Sequence, residues 1–370
     1  MEDAFRFADE LGPAKIVHVH EPSIGLRGTL VVDNVATGPS IGGLRMAPDV
    51  TTEECVRLAR AMTLKNAAAG LAHGGGKSVL VGDPRMPAER KETLVRAFAC
   101  ALRSVDDYIF GPDMGTDETC MAWVHGEIGR AVGLPPELGG IPLDELGATG
   151  FGLLHATETV LRRLEIPLSG ARFAVQGFGA VGLHAARFLS ERGGVLVAAS
   201  DSRGAIHDPA GLDVSALVAE KRAGRSVGEH AKGRRIEPDA LLDVDCEIWI
   251  PAARPDVIRE DNAHRLRARA VVAGANIPLT AGAERILEQR GVVSVPDFIA
   301  NAGGVICAAM EYHGATRAAA FQTIEERIRT NVEAVLADST RRGVAPRRAA
   351  LDLAEARVRR AMAWRRWSIF

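Results

Sequence analysis

Apolar and polar residues alternate in two different ways along the chain, and the change falls before residue 151. In the first part, alternation with a period of two predicts a strand hairpin over 16–35, and apolar residues at helical spacing predict a helix over 51–69. A strand over 78–82, a helix over 87–104 and a strand that runs into a helix over 108–118 are predicted next. The first part is therefore expected to mix helices and strands.

From residue 151 onward, short apolar runs alternate regularly with helical segments. This alternation is typical of a parallel, doubly wound sheet. The stretch over 133–150 is rich in Gly and Pro and predicts a linker. We therefore expect an α/β protein of two domains. Their expected extents are 1–135 and 145–335, with C-terminal helices over 340–370 packing back on the first domain.

The composition is that of an ordinary globular protein without a strongly charged surface. The 370 residues are 47% hydrophobic and 25% charged, with a net charge of −2, so no nucleic-acid partner is expected. No apolar run approaches the roughly 18 residues of a membrane helix, and the first ten residues lack the apolar core of a signal peptide. Five cysteines without a C-x-x-C pair fit reduced thiols in the cytoplasm. The histidines form no H-E-x-x-H motif, so no metal site is expected.

The C-terminal stretch RVRRAMAWRRWSIF mixes arginine with tryptophan. Such a mixture is compatible with nucleic-acid binding. We prefer an amphipathic helix in which Trp364 and Trp367 pack and the arginines are solvated or lie at a subunit contact.

The glycine run in GLAHGGGKSVLVGDP resembles a phosphate-binding loop. The motif G-x-x-x-x-G-K-[ST] requires a glycine at position 71, where the chain has Leu71. A helix is predicted before the run and a strand after it, so no helix N-terminus faces the glycines. We expect a loop whose backbone passes close to a bound molecule and whose Lys77 faces that molecule.

A second glycine motif, Gly177-x-Gly179-x-x-Gly182, follows a predicted strand and opens a predicted helix. Asp201 ends the next strand about 20 residues later, which completes the context of a Rossmann-like dinucleotide site. Asp201 would accept hydrogen bonds from the ribose hydroxyls and repel a 2′-phosphate, so NAD is favoured over NADP. Arg203 would soften that preference. A glycine turn that binds no cofactor is the alternative.

Lys65 is unusual for a lysine on a helix, because its neighbours in TLKNAAAG are small and apolar. A lysine at the buried end of a helix needs an anionic partner. A substrate carboxylate is such a partner.

Several segments along nearly the whole chain then share one resemblance. They are IGGLRM, RLARAMTLKNAAAGLAHGGGKSVLVGDP, GPDMGTDETCMAW, VQGFGAVG, IPAA, VVAGAN and VPDFIANAGGVI. In this order they resemble the glutamate/leucine/phenylalanine/valine dehydrogenases. The resemblance implies reversible oxidative deamination of an L-amino acid to a 2-oxo acid and ammonia, with hydride transfer to NAD(P), in a homo-oligomer.

The resemblance also implies roles for individual residues. Lys77 would be the catalytic lysine, Asp113 would exchange a proton with the substrate amino group, and Lys65 would pair with the α-carboxylate. Thr149 would bind the nicotinamide carboxamide, and Asn301 the substrate amino group or the nicotinamide side. The other substrate-side positions are Ile41, Gly42, Val305 and Ala308. The other cofactor-side positions are Gly177, Gly179, Ala180, Val181, Gly182, Asp201 and Asn276.

Two of these positions bear on the choice of amino acid. The glutamate enzymes carry a lysine and a serine, which grip the distal carboxylate, where this chain has Ile41 and Ala308. Burying a carboxylate against two apolar side chains costs several kcal/mol. An apolar amino acid similar to leucine, valine or phenylalanine is therefore predicted.

Two alternatives stay open. GTDETCMAW, SDSRGAIHDPAGLD and GANIPLT resemble the glutamate branch more closely, so glutamate is the alternative substrate. A non-catalytic, NAD-binding regulatory protein is the second alternative. The complete set of Lys65, Lys77 and Asp113 argues against it.

Overall fold

The computed structural model describes residues 5–365, and the chain divides into two compact units. The first unit comprises Met1–Leu143, Val305–Ala320 and Leu351–Phe370. The second comprises Asp144–Gly304 and Phe321–Ala350. Compared with the extents expected from the sequence, residues 305–320 belong to the first unit and residues 340–350 to the second.

A five-stranded mixed sheet forms the centre of the first unit. Its strands are β1 (Lys15–Glu21), β2 (Leu26–Asn34), β3 (Ser40–Ala47), β4 (Gly74–Val81) and β5 (Tyr108–Pro112), in the order β1-β2-β4-β3-β5. β2 runs antiparallel to β1 and β4, whereas β3 runs parallel to both β4 and β5. The helices α1 (Thr52–Ala68), α2 (Ala88–Ala101) and α3 (Glu118–Ile128) accompany this sheet. The predicted hairpin and the first predicted helices are therefore present.

The spacing of Thr51 and Glu54 in the sequence predicts a capping box, and the N-terminus of α1 has half of it. The Thr51 hydroxyl accepts a hydrogen bond from the Glu54 amide, as the spacing predicts. The Glu54 carboxylate instead accepts a hydrogen bond from Arg45 on β3.

The glycine run does not form the expected loop, because it is the first half of β4. Gly76 and Lys77 pair with β2, and Gly75 pairs with Ile41 of β3. A Cβ on Gly75 would lie 1.9 Å from the Thr63 amide nitrogen, so only glycine lets α1 pack this closely on the strand. The predicted start of the strand at 78 is therefore wrong. Gly74 and Gly76 are equally restricted, since a Cβ would lie 1.9 Å from the Asn34 carbonyl oxygen and 2.9 Å from the Tyr108 ring, respectively. Close packing, and not loop flexibility, explains these glycines.

The second unit contains the predicted doubly wound sheet. Its strands are β6 (Arg172–Gln176), β7 (Val195–Asp201), β8 (Gly204–His207), β9 (Arg234–Ile236), β10 (Ile248–Pro251), β11 (Ala270–Val272) and β12 (Val293–Val295), in the order β12-β11-β10-β6-β7-β8-β9. The five strands from β12 to β7 are parallel. β8 and β9 extend the sheet antiparallel, which the sequence analysis did not predict.

Helices cover this sheet and complete the chain. They are α4 (Leu143–Leu146), α5 (Ala148–Arg163), α6 (Ala180–Glu191), α7 (Val214–Arg222), α8 (Ala281–Gln289), α9 (Asp297–Ala300), α10 (Gly303–Tyr312), α11 (Arg317–Arg342) and α12 (Pro346–Trp364). Short 3-10 helices occur at Pro136–Leu138, Val227–Glu229, Pro238–Asp243 and Ala263–Arg265. The two-domain α/β fold predicted from the sequence is confirmed. Across residues 5–365, no helix is both long and apolar enough to cross a membrane.

The C-terminal part of α12 contacts the first unit through Arg357, which donates hydrogen bonds to the carbonyl oxygens of Ala67 and Ala68 at the end of α1. The expected packing of Trp364 is wrong, because 90% of its surface is exposed. It lies in the last turn of α12, beyond Val358, the last buried residue of the described part of this helix. Trp367 lies outside the described residues.

Candidate functional site

Lys77 and Asp113 form a buried ion pair in the first unit. Lys77 lies within β4 and is 6% exposed, and Asp113 follows β5. The two strands flank β3, where a Cβ on Gly43 would lie 2.7 Å from the Asp113 Cβ and 3.1 Å from the Lys77 Nζ. A glycine between two neighbouring strands thus makes the room in which a lysine and an aspartate meet.

Arg45 completes this charged group, although no role was predicted for it from the sequence. Its Nε lies 3.4 Å from Asp113 Oδ2, and its Nη1 lies 2.5 Å from Glu54 Oε1. Burial by itself would raise the pKa of Asp113, but Lys77 and Arg45 hold that pKa below its usual value. Asp113 is therefore a carboxylate at neutral pH. The only available signal for Arg45 was its place in the motif IGGLRM, two residues after Gly43.

Lys65 lies half-buried in the last turn of α1, the helix that packs on β4 at Gly75. The next residue, Asn66, is fully buried and donates hydrogen bonds to the carbonyl oxygens of Gly74 (2.7 Å) and Ile41 (3.4 Å). Asn66 therefore ties the end of α1 to β3 and β4. A polar residue inside the small apolar stretch LKNAAAG was the signal that could have identified it.

Ile41 and Ala308 are brought into one apolar cluster of the first unit. The cluster consists of Ile41, Ile109, Val132, Ala308 and Ala309, with Leu71 and Leu143 packed against it. Val305 is half-buried near the start of α10, one helical turn before Ala308. Gly42 directly follows Ile41, and a Cβ there would lie 1.9 Å from the Gly76 carbonyl oxygen. The predicted side-chain positions thus share one apolar environment.

A buried carboxylate lies next to this cluster on α10. Glu311 is 9% exposed, and its two oxygens accept hydrogen bonds from the amides of Leu134 (3.1 Å) and Ile141 (2.8 Å). Burial raises the pKa of Glu311. No role was predicted for Glu311, although it is a charged residue within the apolar stretch ICAAMEY.

The three glycines of the motif Gly177-x-Gly179-x-x-Gly182 lie in the turn between β6 and α6 and in the first turn of α6, the position that such glycines take in a dinucleotide-binding fold. Gly177 has a φ of +93°, a backbone conformation that favours glycine. Nothing lies within 4 Å of a Cβ placed on Gly179, so this side of the turn is open. A Cβ on Gly182 would lie 2.1 Å from the Gly177 carbonyl oxygen, which shows how closely α6 packs on the turn. Ala180 and Val181 form the N-terminus of α6, a place that favours phosphate oxygens.

Asp201 ends β7, and its carboxylate is already surrounded by donors. Oδ1 accepts from the Ser226 hydroxyl (2.7 Å) and the Arg203 amide (2.9 Å), and Oδ2 accepts from Lys221 Nζ (2.8 Å) and the Val227 amide (3.0 Å). Burial alone would raise the pKa of Asp201, but these donors hold it far below its usual value. Lys221 thus compensates the negative charge at this edge of the sheet.

Thr149, Asn276 and Asn301, which were predicted to contact the cofactor or, for Asn301, alternatively the substrate amino group, lie together in the second unit. The Asn301 side-chain amide donates to Asn276 Oδ1 (2.9 Å) and to the Gly274 carbonyl oxygen (3.3 Å). Asn301 is 4% exposed, and its Oδ1 is buried without a hydrogen-bond partner among residues 5–365. Thr149, on the first turn of α5, is adjacent, because a Cβ on Gly303 would lie 3.2 Å from the Thr149 Cα. A buried acceptor without a partner fits the amide of a nicotinamide.

No group of three potential metal ligands from His, Cys, Asp and Glu occurs in the part of the chain that the structure describes.

Comparisons with known proteins match both parts of the chain to one family. The model of the family described as Glutamate/Leucine/Phenylalanine/Valine dehydrogenase matches residues 139–366, and the model of the Glu/Leu/Phe/Val dehydrogenase dimerisation domain matches residues 13–130. A glutamate dehydrogenase of Aeropyrum pernix is 36% identical over 358 residues, which cover 90% of this chain and 85% of that protein. An NADP(+)-dependent glutamate dehydrogenase of Pyrobaculum calidifontis is 40% identical over 85% of this chain and 78% of its own.

Solved structures give the same result for the fold. The hetero-hexameric glutamate dehydrogenase from Thermus thermophilus, in its Leu-bound form, superposes with a TM-score of 0.85 at 31% identity. This match covers 97% of this chain and 91% of that one. The L-tryptophan dehydrogenase from Nostoc punctiforme has a TM-score of 0.75 over 95% and 97% of the two chains, and at 24% identity it supports the fold alone.

Proposed function

We propose, from the premise that the chain belongs to the Glu/Leu/Phe/Val dehydrogenase family, that Lys77 and Asp113 catalyse the oxidative deamination of an L-amino acid. The family assigns the chain to the amino-acid dehydrogenases, which act on a CH–NH2 group with a nicotinamide cofactor. The observation that supports the proposed residues is the buried ion pair of Lys77 and Asp113 beside Gly43.

The chemistry of each charged residue described in the first unit suits one part of this reaction. The Asp113 carboxylate would take a proton from the substrate amino group, and Lys77 would orient and activate the water that attacks the imine carbon. The Lys65 ammonium would hold the α-carboxylate. Arg45 would keep Asp113 ionised between these steps.

The second unit would hold the cofactor, which accepts the hydride when it is bound. The N-terminus of α6 would bind the pyrophosphate, and the free Oδ1 of Asn301 would accept a hydrogen bond from the nicotinamide carboxamide. Thr149 and Asn276 would contact the same end of the cofactor.

Glutamate is the first candidate substrate. Six relatives, including the two named above, are glutamate dehydrogenases that are 36–41% identical to this chain. Similarity of that extent over most of the chain supports a shared substrate.

An apolar L-amino acid is the second candidate, and a specific observation favours it. Ile41 and Ala308 lie in one apolar cluster, so neither of these two positions offers a cation or a hydroxyl to a carboxylate. The distal carboxylate of glutamate would lose its hydration there without gaining a partner. Leucine, valine or phenylalanine would gain apolar contacts in the same place.

The cofactor choice follows from Asp201 and its neighbours. Asp201 alone would favour NAD, but Lys221 offsets its charge and Arg203 lies close by. Two of the relatives are described as NADP-dependent or NADP-specific. We infer that the chain accepts NADP as well as NAD. We also infer a homo-oligomer, since residues 13–130 match the family's dimerisation domain.

One set of rate measurements tests the proposed chemistry and the substrate. Reduction of NAD+ and NADP+ is followed with glutamate, leucine, valine, phenylalanine and tryptophan, for the wild type and Lys77→Ala. We expect Lys77→Ala to lower turnover about 10²–10⁴-fold, with cofactor affinity unchanged, because the group that activates water is lost. Lys91→Ala, on α2, is the matched control and should keep wild-type turnover.

The pattern of active substrates decides between the two candidates. Turnover of glutamate supports the first, and turnover of leucine, valine or phenylalanine without glutamate supports the second. In the latter case, the double variant Ile41→Lys, Ala308→Ser should gain glutamate activity. Near-normal turnover by Lys77→Ala would contradict the proposed role of Lys77.

A further inference from the structure

Arg347, at the start of α12, is held between two carboxylates of the second unit. Its Nη2 donates to Asp297 Oδ1 (2.8 Å), and its Nε donates to Glu284 Oε1 (2.5 Å). The carboxyl groups of Asp297 and Glu284 are largely buried. None of the steps described above uses these three residues.

The second oxygen of Asp297 leads to the nicotinamide side. Asp297 Oδ2 accepts a hydrogen bond from the Ile277 amide at 2.9 Å. Ile277 has a φ of +50°, which is costly for a β-branched residue and persists only where the surroundings hold it. Its side chain is 53% exposed, so packing does not hold the turn. Two hydrogen bonds hold this backbone: the Ile277 carbonyl oxygen accepts from the Asp256 amide at 2.9 Å, and the Ile277 amide donates to Asp297. The bond to Asp297 is the one that ties the turn to α9.

Asp297 also belongs to the segment that carries Asn301, one of the two side chains proposed to contact the nicotinamide. It is the first residue of α9, and its carbonyl oxygen accepts a hydrogen bond from the backbone amide of Asn301 at 2.8 Å. Asn276, directly before Ile277, accepts a hydrogen bond from the Asn301 side chain. The buried Asp297 thus lies in the segment that carries Asn301, and its side chain joins this segment to the one that carries Asn276.

We propose that Arg347 is a positioning residue that fixes Asp297, and through it the turn at Ile277 and the Asn276–Asn301 pair. This role rests on the proposed function, because it assumes that Asn276 and Asn301 contact the nicotinamide. Without the guanidinium, the largely buried Asp297 carboxylate loses the cation that pairs with it, and its position is no longer fixed from that side. Its hold on the Ile277 amide is then weaker, and the free oxygen of Asn301 loses its fixed direction.

Two measurements on the intact chain test this role, and neither requires turnover. The first is hydrogen exchange of the peptide that contains Ile277, without cofactor. The second is the dissociation constant for NADH and NADPH. For Arg347→Gln we expect exchange at Ile277 and both dissociation constants to rise about tenfold, since a charged hydrogen bond is lost. Exchange in β7 should stay as in the wild type, which excludes general unfolding. Arg347→Lys should restore part of both effects.

Glu284→Gln is the matched control, because it removes the other carboxylate partner of Arg347 and leaves Asp297 paired. We expect wild-type exchange at Ile277 and wild-type cofactor affinity for this variant. If Glu284→Gln behaves as Arg347→Gln does, Arg347 merely attaches α12 to α8, and the positioning role is wrong. Unchanged exchange in Arg347→Gln, or faster exchange with unchanged affinity, would also overturn it. Failure of the proposed function has a different signature, since the wild type would then bind cofactor and turn over no amino acid.

Discussion

At the scale of single residues, the partner of a side chain decides what that side chain does. The carboxylate of Asp201 stands at the strand end where a ribose would bind, but four donors already surround it. Its most consequential partner is Lys221, because this ammonium offsets the charge that would repel a 2′-phosphate. We therefore expect cofactor choice to depend on the pair of Asp201 and Lys221.

The pair gives a prediction for Lys221→Gln. Loss of the ammonium leaves Asp201 as an uncompensated carboxylate, so NADPH should bind less tightly and NADH should be little affected. We expect the ratio of the NADPH and NADH dissociation constants to rise about tenfold, which corresponds to about 1.4 kcal/mol. Titration of cofactor fluorescence measures both constants. Lys232→Gln, an exposed lysine of the same unit, should leave the ratio unchanged. An unchanged ratio in Lys221→Gln would remove Lys221 from cofactor selection.

At the scale of elements, α10 is attached to its surroundings by a buried acid. Glu311 accepts hydrogen bonds from two backbone amides of the segment over 134–141. The same helix carries Ala308 in the apolar cluster with Ile41. The attachment of α10 therefore helps to define the wall against which a substrate side chain would pack.

Replacing Glu311 by Gln tests this attachment. The side-chain NH2 group cannot accept a hydrogen bond, so one backbone amide loses its partner inside the protein. We expect the free energy of unfolding to fall by about 1–3 kcal/mol. We also expect KM for the amino acid to rise while cofactor affinity stays constant. Urea unfolding and steady-state kinetics measure these quantities, with Glu89→Gln on the exposed surface of α2 as a neutral control. Wild-type stability and KM in Glu311→Gln would show that the attachment has no such role.

At the scale of the whole molecule, the charged group around Asp113 links stability to pH. Burial opposes ionisation of Asp113, but Lys77 and Arg45 keep its pKa below the unfolded value. A carboxyl group with a lowered pKa in the folded state stabilises the fold above its unfolded pKa. That contribution is lost as the pH falls through the folded pKa.

The corresponding prediction compares the wild type with Asp113→Asn. At pH 7 the variant should unfold about 3 kcal/mol more easily, because removing one partner of a buried ion pair leaves the other uncompensated. Below about pH 4 the wild-type advantage should shrink, since the unfolded chain takes up a proton at Asp113 there and the folded protein does so only at lower pH. Chemical denaturation between pH 7 and pH 3 measures the difference, and Asp49→Asn at an exposed position should show no such trend. A difference that stays constant with pH would contradict the charge pairing.

The family motifs, the hairpin, α1, α6 and the dinucleotide turn could all be predicted from the sequence. Each rests on short-range causes: periodicity that matches one element, a cap three residues from its partner, and glycines whose backbone or packing excludes a side chain. Such causes are contained within a few consecutive residues, so the chain alone determines them.

The tertiary structure decided what distant segments do to each other. It turned the glycine run before Lys77 into a strand, because α1 packs on it at Gly75. It placed Lys221 on Asp201 and Arg347 on Asp297, and it joined Ile41 to Ala308 in one cluster. No local pattern encodes these pairings, because a side chain's charge and burial depend on which remote residue the fold brings beside it. The kind of reaction was therefore readable in the sequence, whereas the partners of the site residues were fixed by packing.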